Sequence, residues 1–271
     1  MRKALTTAGT TILVIVMFCL GYVVAEPSRT GVNAPVPAQN VALINQSQCP
    51  ADSPLAAPRG FSSPNVRLPN EPTTAQGYAN LFAALPPRQW QAADLGMTVR
   101  MPNKRIVWLF GDTFSLSGFV HSTAIVQIGM SMTVSQRGAQ LLPDSNGFIY
   151  WPSAAVVLDS QTVKIWAEEV KIVDPSKPWG FRPTGKDRAA IVRVDNQNNL
   201  TFLRWTGYRK HVAWPTDLTS VGPGHFTYFH RVHGCLPLGG GRWLVTKSQN
   251  WDDGKVRPTS AYMILFSEWS N

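Results

Sequence analysis

The stretch GMTVRMPNKRIVWLFGDTF, Gly96 to Phe114, decides how the rest of the chain reads. Two apolar runs, Gly96–Arg100 and Arg105–Phe110, flank Met101–Lys104, whose Pro and Asn suit a tight turn. That pattern predicts a β-hairpin. The second run then meets Gly111 and a carboxylate, Asp112, before Thr113 and a further aromatic. Gly and Asp are ordinary turn formers, so a strand stopping at a turn accounts for the ending. An antiparallel hairpin also brings the start of one strand beside the end of the other. Asp94, just before the first run, is therefore expected beside Asp112, just after the second.

The same texture continues in both directions from the hairpin. From about Thr73 onward, short runs rich in Trp, Tyr, Val and Ile alternate with Gly, Asn, Asp and Pro, the pattern of an all-β domain. One short helix is predicted near Gln76–Leu85. The first set of strands closes with Thr123–Gln127 and Met130–Ser135. A second set comprises Phe148–Leu158, Thr162–Val173, Ala189–Val194 and Leu200–Trp205, and a third His225–Leu236, Arg242–Ser248 and Ala261–Glu268. Sets recurring every roughly fifty residues predict a β-propeller-like domain over residues 71–271. Three sets do not close a ring. Either Phe61–Ala84 and the chain end supply a further blade, or the chain is shorter than a full propeller. An ordinary β-sandwich is the alternative architecture.

Ahead of this domain, Arg2 and Lys3 precede an apolar run, Ile12 to Ala25, with Val23 and Ala25 placed for signal peptidase. Residues 1–25 are thus expected to be a signal peptide. A retained anchor is the alternative, although the run is shorter than the ~20 residues that span a bilayer comfortably. Phe18 before Cys19 argues against a lipoprotein signal. Residues 26–70, rich in Pro, Ser, Ala and Asn, read as an extended tether. Export makes a disulfide between Cys49 and Cys235 the expected state of the two remaining cysteines. A secreted or envelope-associated protein follows, touching a membrane only through an uncleaved N-terminal segment.

The chain carries 25 Lys and Arg against 16 Asp and Glu, a net charge of +9. That excess suits a polyanionic setting such as a phosphate-bearing envelope. A nucleic-acid partner is not expected, since no basic cluster interleaves with aromatics. There is no Gly-x-Ser-x-Gly elbow, phosphate-cradling glycine loop or dinucleotide fingerprint, and no cofactor is expected. The two histidines of HRVH, His230 and His233, lack the glutamate of a zinc protease motif, and no metal is expected. Two facing carboxylates, in contrast, are the equipment of glycosidic bond cleavage. One gives a proton to the leaving oxygen, and the other activates water or attacks the anomeric carbon. Two turn aspartates capping a hairpin remain the plainer reading. His121, Ser122, Trp151, His230 and Arg231 are candidate sugar contacts, Trp151 by stacking an exposed indole on a furanose ring. One of Glu168 and Glu169, which face opposite sides of a strand, is a candidate third carboxylate.

RIVWLFGDTF, followed by FVHSTAIVQ (Phe119–Gln127) and YWPSAAVVLDSQTVKIW (Tyr150–Trp166), resembles exported propeller domains of glycoside hydrolase family 183. Those five-bladed proteins are endo-D-arabinanases that cut the arabinan of mycobacterial cell walls. The resemblance spans roughly Ala93 to Glu268 and is sharpest at the Phe-Gly-Asp-Thr core. It implies that Asp94 and Asp112 are the essential acidic pair and that the partner is a cell-wall polysaccharide. Inversion at the anomeric carbon is the expected outcome. A non-catalytic propeller that binds wall glycan is the alternative function.

Overall fold

The computed structural model describes residues 67–176, 180–211, 217–220, 226–230, 232–251 and 262–270. The signal segment, most of the tether, Cys49 and Arg231 lie outside the described residues. Cys235 and His230 are placed on strands, but their side chains lie outside the description, as does the predicted disulfide.

Among the described residues one α-helix, α1 (Ala75–Ala83), precedes the sheets. Thr74 caps it, its hydroxyl accepting the Gly77 N–H at 3.0 Å. The helix buries Tyr78 and Phe82, whose rings meet Trp108 at 5.7 and 5.0 Å. Just before it, Glu71 is fully buried and accepts two bonds from Arg100, at 2.6 and 2.9 Å. This forked pair pins the helix approach to the first sheet.

The fold is all-β around that helix, and its three antiparallel sheets correspond to the three predicted sets. The first comprises β1 (Ala92–Arg100), β2 (Ile106–Ser115), β3 (Gly118–Val120), β4 (Thr123–Ile128) and β5 (Ser131–Val134), in the order β1-β2-β4-β5 with β3 on β2. The second is a four-stranded meander of β6 (Phe148–Val157), β7 (Thr162–Ile172), β8 (Phe181–Val194) and β9 (Leu200–Lys210). The third contains β10 (Asp217–Ser220), β11 (Phe226–His230), β12 (Val232–Gly239), β13 (Arg242–Trp251) and β14 (Tyr262–Ser270). β11 and β12 both pair with β13, one at each end, so together they occupy one strand's place. The run predicted as His225–Leu236 is thus two strands, and β3 and β10 are additions to the sequence reading.

The first sheet is the middle layer, which explains why Ile106–Phe110 is apolar without alternation. Val107 and Leu109 face one core with Tyr150, Ile165 and Val192 of the second sheet. Ile106, Trp108 and Phe110 face another with Tyr78, Phe82 and the third sheet's Leu236, Leu238 and Leu244. A strand covered on both faces reads as a continuous hydrophobic run. The first and second sheets are also tied by Ser135, whose hydroxyl accepts the Leu200 N–H at 2.7 Å.

Candidate active site

Both aspartates of the predicted pair lie inside paired strands, not beyond their ends as expected. The pairing of β1 with β2 slips there: Ala93 stands opposite Thr113, whereas Leu95 stands opposite Phe110. Asp94 alone therefore opposes both Gly111 and Asp112, a two-for-one bulge. Pairing resumes because Leu95 and Gly96 take left-handed backbone (φ 71° and 83°), returning the extra residue on β1. Such slips are set by packing against neighbouring sheets, so the apolar pattern gave no sign of them.

The bulge governs where the carboxylates go. Gly111 has the parity of Val107 and Leu109, which face the second sheet. A Cβ at Gly111 would stand 2.3 Å from Asp94 Oδ1 and 2.9 Å from Leu95 Cδ1. Asp94 thus occupies the space a side chain at 111 would need. Asp112, 6% exposed, turns the same way: its Oδ1 accepts from Trp151 Nε1 on β6 at 2.8 Å and from His121 Nδ1 at 3.0 Å. Thr113 locks the bulge, its hydroxyl donating to the Gly111 carbonyl at 2.9 Å and meeting Thr123 Oγ1 at 2.9 Å.

A third carboxylate, Asp144, reaches this site from the loop between β5 and β6. Gln140 accepts the His121 backbone N–H at 3.2 Å and donates to Asp144 Oδ1 at 2.6 Å. Burial raises Asp144 above the usual carboxylate range and the charge of Asp112 adds to this, against the lowering influence of His121 and Gln140. Burial works against a charged His121. The hydrogen bond and charge of Asp112, helped by Asp144, outweigh it and raise His121 above its ordinary value. Asp112, His121 and Asp144 thus form one electrostatic unit. In the sequence Asp144 sits in PDSNG, indistinguishable from a turn aspartate.

One predicted sugar contact, Ser122, is corrected. Ser122 is fully buried: its hydroxyl accepts the Leu142 N–H at 2.9 Å and its carbonyl the Leu141 N–H at 2.9 Å, so it holds the Gln140–Asp144 loop in place of meeting solvent. Trp151 is half-buried, its N–H donating to Asp112 and its ring roughly perpendicular to Phe181 at 5.0 Å, so the residue predicted to stack on a sugar also anchors the aspartate. His121 keeps partial access, with 24% of its side chain exposed and its ring edge-on to Phe119.

The second sheet brings further polar side chains to the same end. Trp151, Glu168, Asp187 and Arg209 stand directly opposite one another across four strands. Asp187, fully buried, accepts from His211 Nδ1 at 2.6 Å and from Arg209 at 2.9 Å; Glu168 lies 3.6 Å from His211 Nε2. Glu169 points to the opposite face and accepts from the Thr184 hydroxyl at 3.2 Å. The strand positions among these lie in the first half of β1, β6 and β8 or the second half of β2, β7 and β9, and His211 directly follows β9, so they share one end of two neighbouring sheets.

No family model and no curated protein matches the chain. Among solved structures, a protein of Bacteroides ovatus ATCC 8483 assigned as a hydrolase aligns with 14% identity over 70% of this chain and 57% of its own, at a TM-score of 0.38. A substituted β-fructofuranosidase of Microbacterium saccharophilum K-1 aligns with 13% identity over 67% of this chain and 45% of its own, at 0.24. This chain therefore spans about half the length of either. At such scores neither likeness transfers a fold or an activity.

Proposed function

We propose that the chain is an exported, propeller-like glycoside hydrolase that cleaves within a furanose polymer, D-arabinan of a cell wall, using Asp94 and Asp112. The observation that carries this reading is the bulge that seats Asp94 over Gly111 and turns it, with Asp112, toward the second sheet. The likeness of the RIVWLFGDTF segment to family 183 supports the substrate class. The two N–H bonds that Asp112 Oδ1 accepts hold this carboxylate in place, which suits Asp112 to the role of the base that draws a proton from water. Asp94 is then the partner that protonates the leaving oxygen. Asp144 and His121 complete the polar wall. Burial and like charge separate carboxylate roles in such sites.

The test is release of reducing ends from purified arabinogalactan and lipoarabinomannan. Asp112→Asn and Asp94→Asn should each lower kcat by about 10²–10⁴-fold, the usual worth of a general acid or base, while glycan binding persists. Binding without release by the wild type would overturn the hydrolytic reading in favour of a glycan-binding propeller. Proton NMR of the first product formed reads the anomer, and inversion is the outcome proposed.

A further inference from the structure

The second sheet sets like charges face to face. Lys171 on β7 stands directly opposite Arg182 on β8, and Lys186 on β8 directly opposite Lys210 on β9. All four are exposed, and none has an ion pair among the described residues. Like charges directly opposed destabilise an antiparallel pair. Folding alone gives no reason to place two such pairs at one end of one sheet.

Register shows that the four share a face. Directly opposed residues point the same way and neighbours alternate. Phe148 opposes Lys171, and Tyr150 opposes Glu169. Glu168 opposes Asp187, so Lys186 and Arg188 share the face of Glu169 and Tyr150. Arg188 opposes Tyr208, which puts Lys210 there as well. Arg188 is already laid on an aromatic floor. Its guanidinium lies 4.5 Å from the Trp205 ring, 5.4 Å from Tyr208 and 5.7 Å from Tyr150, and donates to Tyr150 Oη at 3.1 Å. Its Nε is buried without a hydrogen-bond partner, a donor that folding leaves unsatisfied. Glu169, bound to Thr184, is the carboxylate interspersed among these five cations. Tyr208, 54% exposed, presents an open ring beside them.

We propose that this face binds an anionic polysaccharide, its phosphate or carboxylate groups meeting Lys171, Arg182, Lys186 and Lys210 while a sugar ring stacks on Tyr208. A ligand with negative groups spaced along it offsets the repulsion that each opposed pair carries in the free protein. Tyr150, buried beneath the patch, precedes Trp151 on β6, whose side chain alternates to the other face and donates to Asp112, so the cationic face lies at the same end of the sheet as the carboxylate site but not on the face of Trp151. The choice of a polysaccharide over other polyanions rests on the proposed hydrolase reading. The affinity for anions does not.

The experiment measures binding of the full chain to polygalacturonate, a phosphomannan, neutral dextran, double-stranded DNA and phosphatidylglycerol vesicles, each at low and raised salt. Both anionic polysaccharides should bind, more weakly from about 50 to about 300 mM NaCl as screening grows, and dextran should not. Replacing all four cations by Ala should weaken binding at least about tenfold, the sum of several exposed charge contacts. Lys186→Glu, which faces Lys210 with an opposite charge, should lower affinity and raise Tm together; a merely structural lysine would not give opposite signs. Unaltered binding by the quadruple variant, or a lower Tm for Lys186→Glu, would overturn the proposal. Tighter binding to DNA or vesicles than to either polysaccharide would overturn the assignment of the partner. Asp112→Asn should bind as the wild type does. Binding without hydrolysis by the wild type would therefore sink the proposed function while leaving this surface standing, and hydrolysis without anion binding the reverse.

Discussion

Gly111→Ala perturbs the site without altering any ionisable group. The new methyl would stand 2.3 Å from Asp94 Oδ1 and 2.9 Å from Leu95 Cδ1, whereas ordinary contact begins at ~3.4 Å, so the carboxylate must retreat by about 1 Å. The backbone at Gly111 is not left-handed, so alanine brings no conformational strain of its own. The cost in stability is then that of overpacking, about 1–3 kcal/mol. Misplacing a reacting group by ~1 Å costs about 10²-fold in rate, so kcat for reducing-end release should fall by that order while KM changes little. A thermal melt sets an assay temperature at which the variant is folded. Because the methyl acts through Asp94, the double variant Gly111→Ala with Asp94→Asn should be no slower than Asp94→Asn alone. A folded alanine variant with wild-type kcat would show that the seat of Asp94 over Gly111 has no part in catalysis.

Trp151→Phe keeps the ring against Phe181 and deletes the N–H that Asp112 accepts. It should lower kcat about tenfold, the worth of one hydrogen bond to a charged group, with a shift in Tm of a few degrees at most, read by a melt beside the rate assay. His121→Asn tests the raised pKa of His121. A folded-state value above the ordinary 6.5 stabilises the fold fully below 6.5 and loses that contribution as pH rises through the folded value. The variant should therefore be less stable than wild type near pH 5 by more than it is near pH 9, in urea titrations at both. Arg100→Met leaves Glu71 buried without its partner and should cost about 3–5 kcal/mol. Adding Glu71→Met should recover part of that loss in the same urea titration.

The hairpin, the three sets of strands and the one helix were legible because each depends on local pattern. Apolar runs of strand length, punctuated by Gly, Asn and Pro, survive whatever they pack against. The boundaries that matter to the site were not legible. β2 runs on through Gly111–Ser115 because β3 pairs with it, and nothing in GDTFS announces that partner. The neighbour relation of Asp94 and Asp112 follows from hairpin geometry, but their common orientation depends on the bulge, which the sequence does not encode as a pattern. Ser122 was not legible for a different reason: a hydroxyl near an acidic loop fits a sugar contact and a structural anchor equally, and only burial separates the two. Asp144 was passed over because a turn aspartate and a site aspartate have identical neighbours in sequence.

The two ends of the sheets use carboxylates for different purposes. At the far end, Asp159 and Asp195 each accept the backbone N–H of the residue two or four places on, and those bonds hold both below the usual carboxylate range. Such bonds shape a turn and end there. At the site end, Asp112 and Asp187 are buried and accept from His, Trp and Arg side chains brought from other strands. Burying a charge this way costs desolvation that an apolar residue of similar volume would avoid. The opposed pairs Lys171–Arg182 and Lys186–Lys210 add repulsion at the same end. Selection for folding would remove each of these features, because an apolar or oppositely charged substitute is available at every position. Their concentration at one end of two sheets, while the other end serves the fold at lower cost, supports the proposals that this end meets ligands: at the buried Asp112 and Asp187, and separately at the cations Lys171, Arg182, Lys186 and Lys210 on the other face of the second sheet.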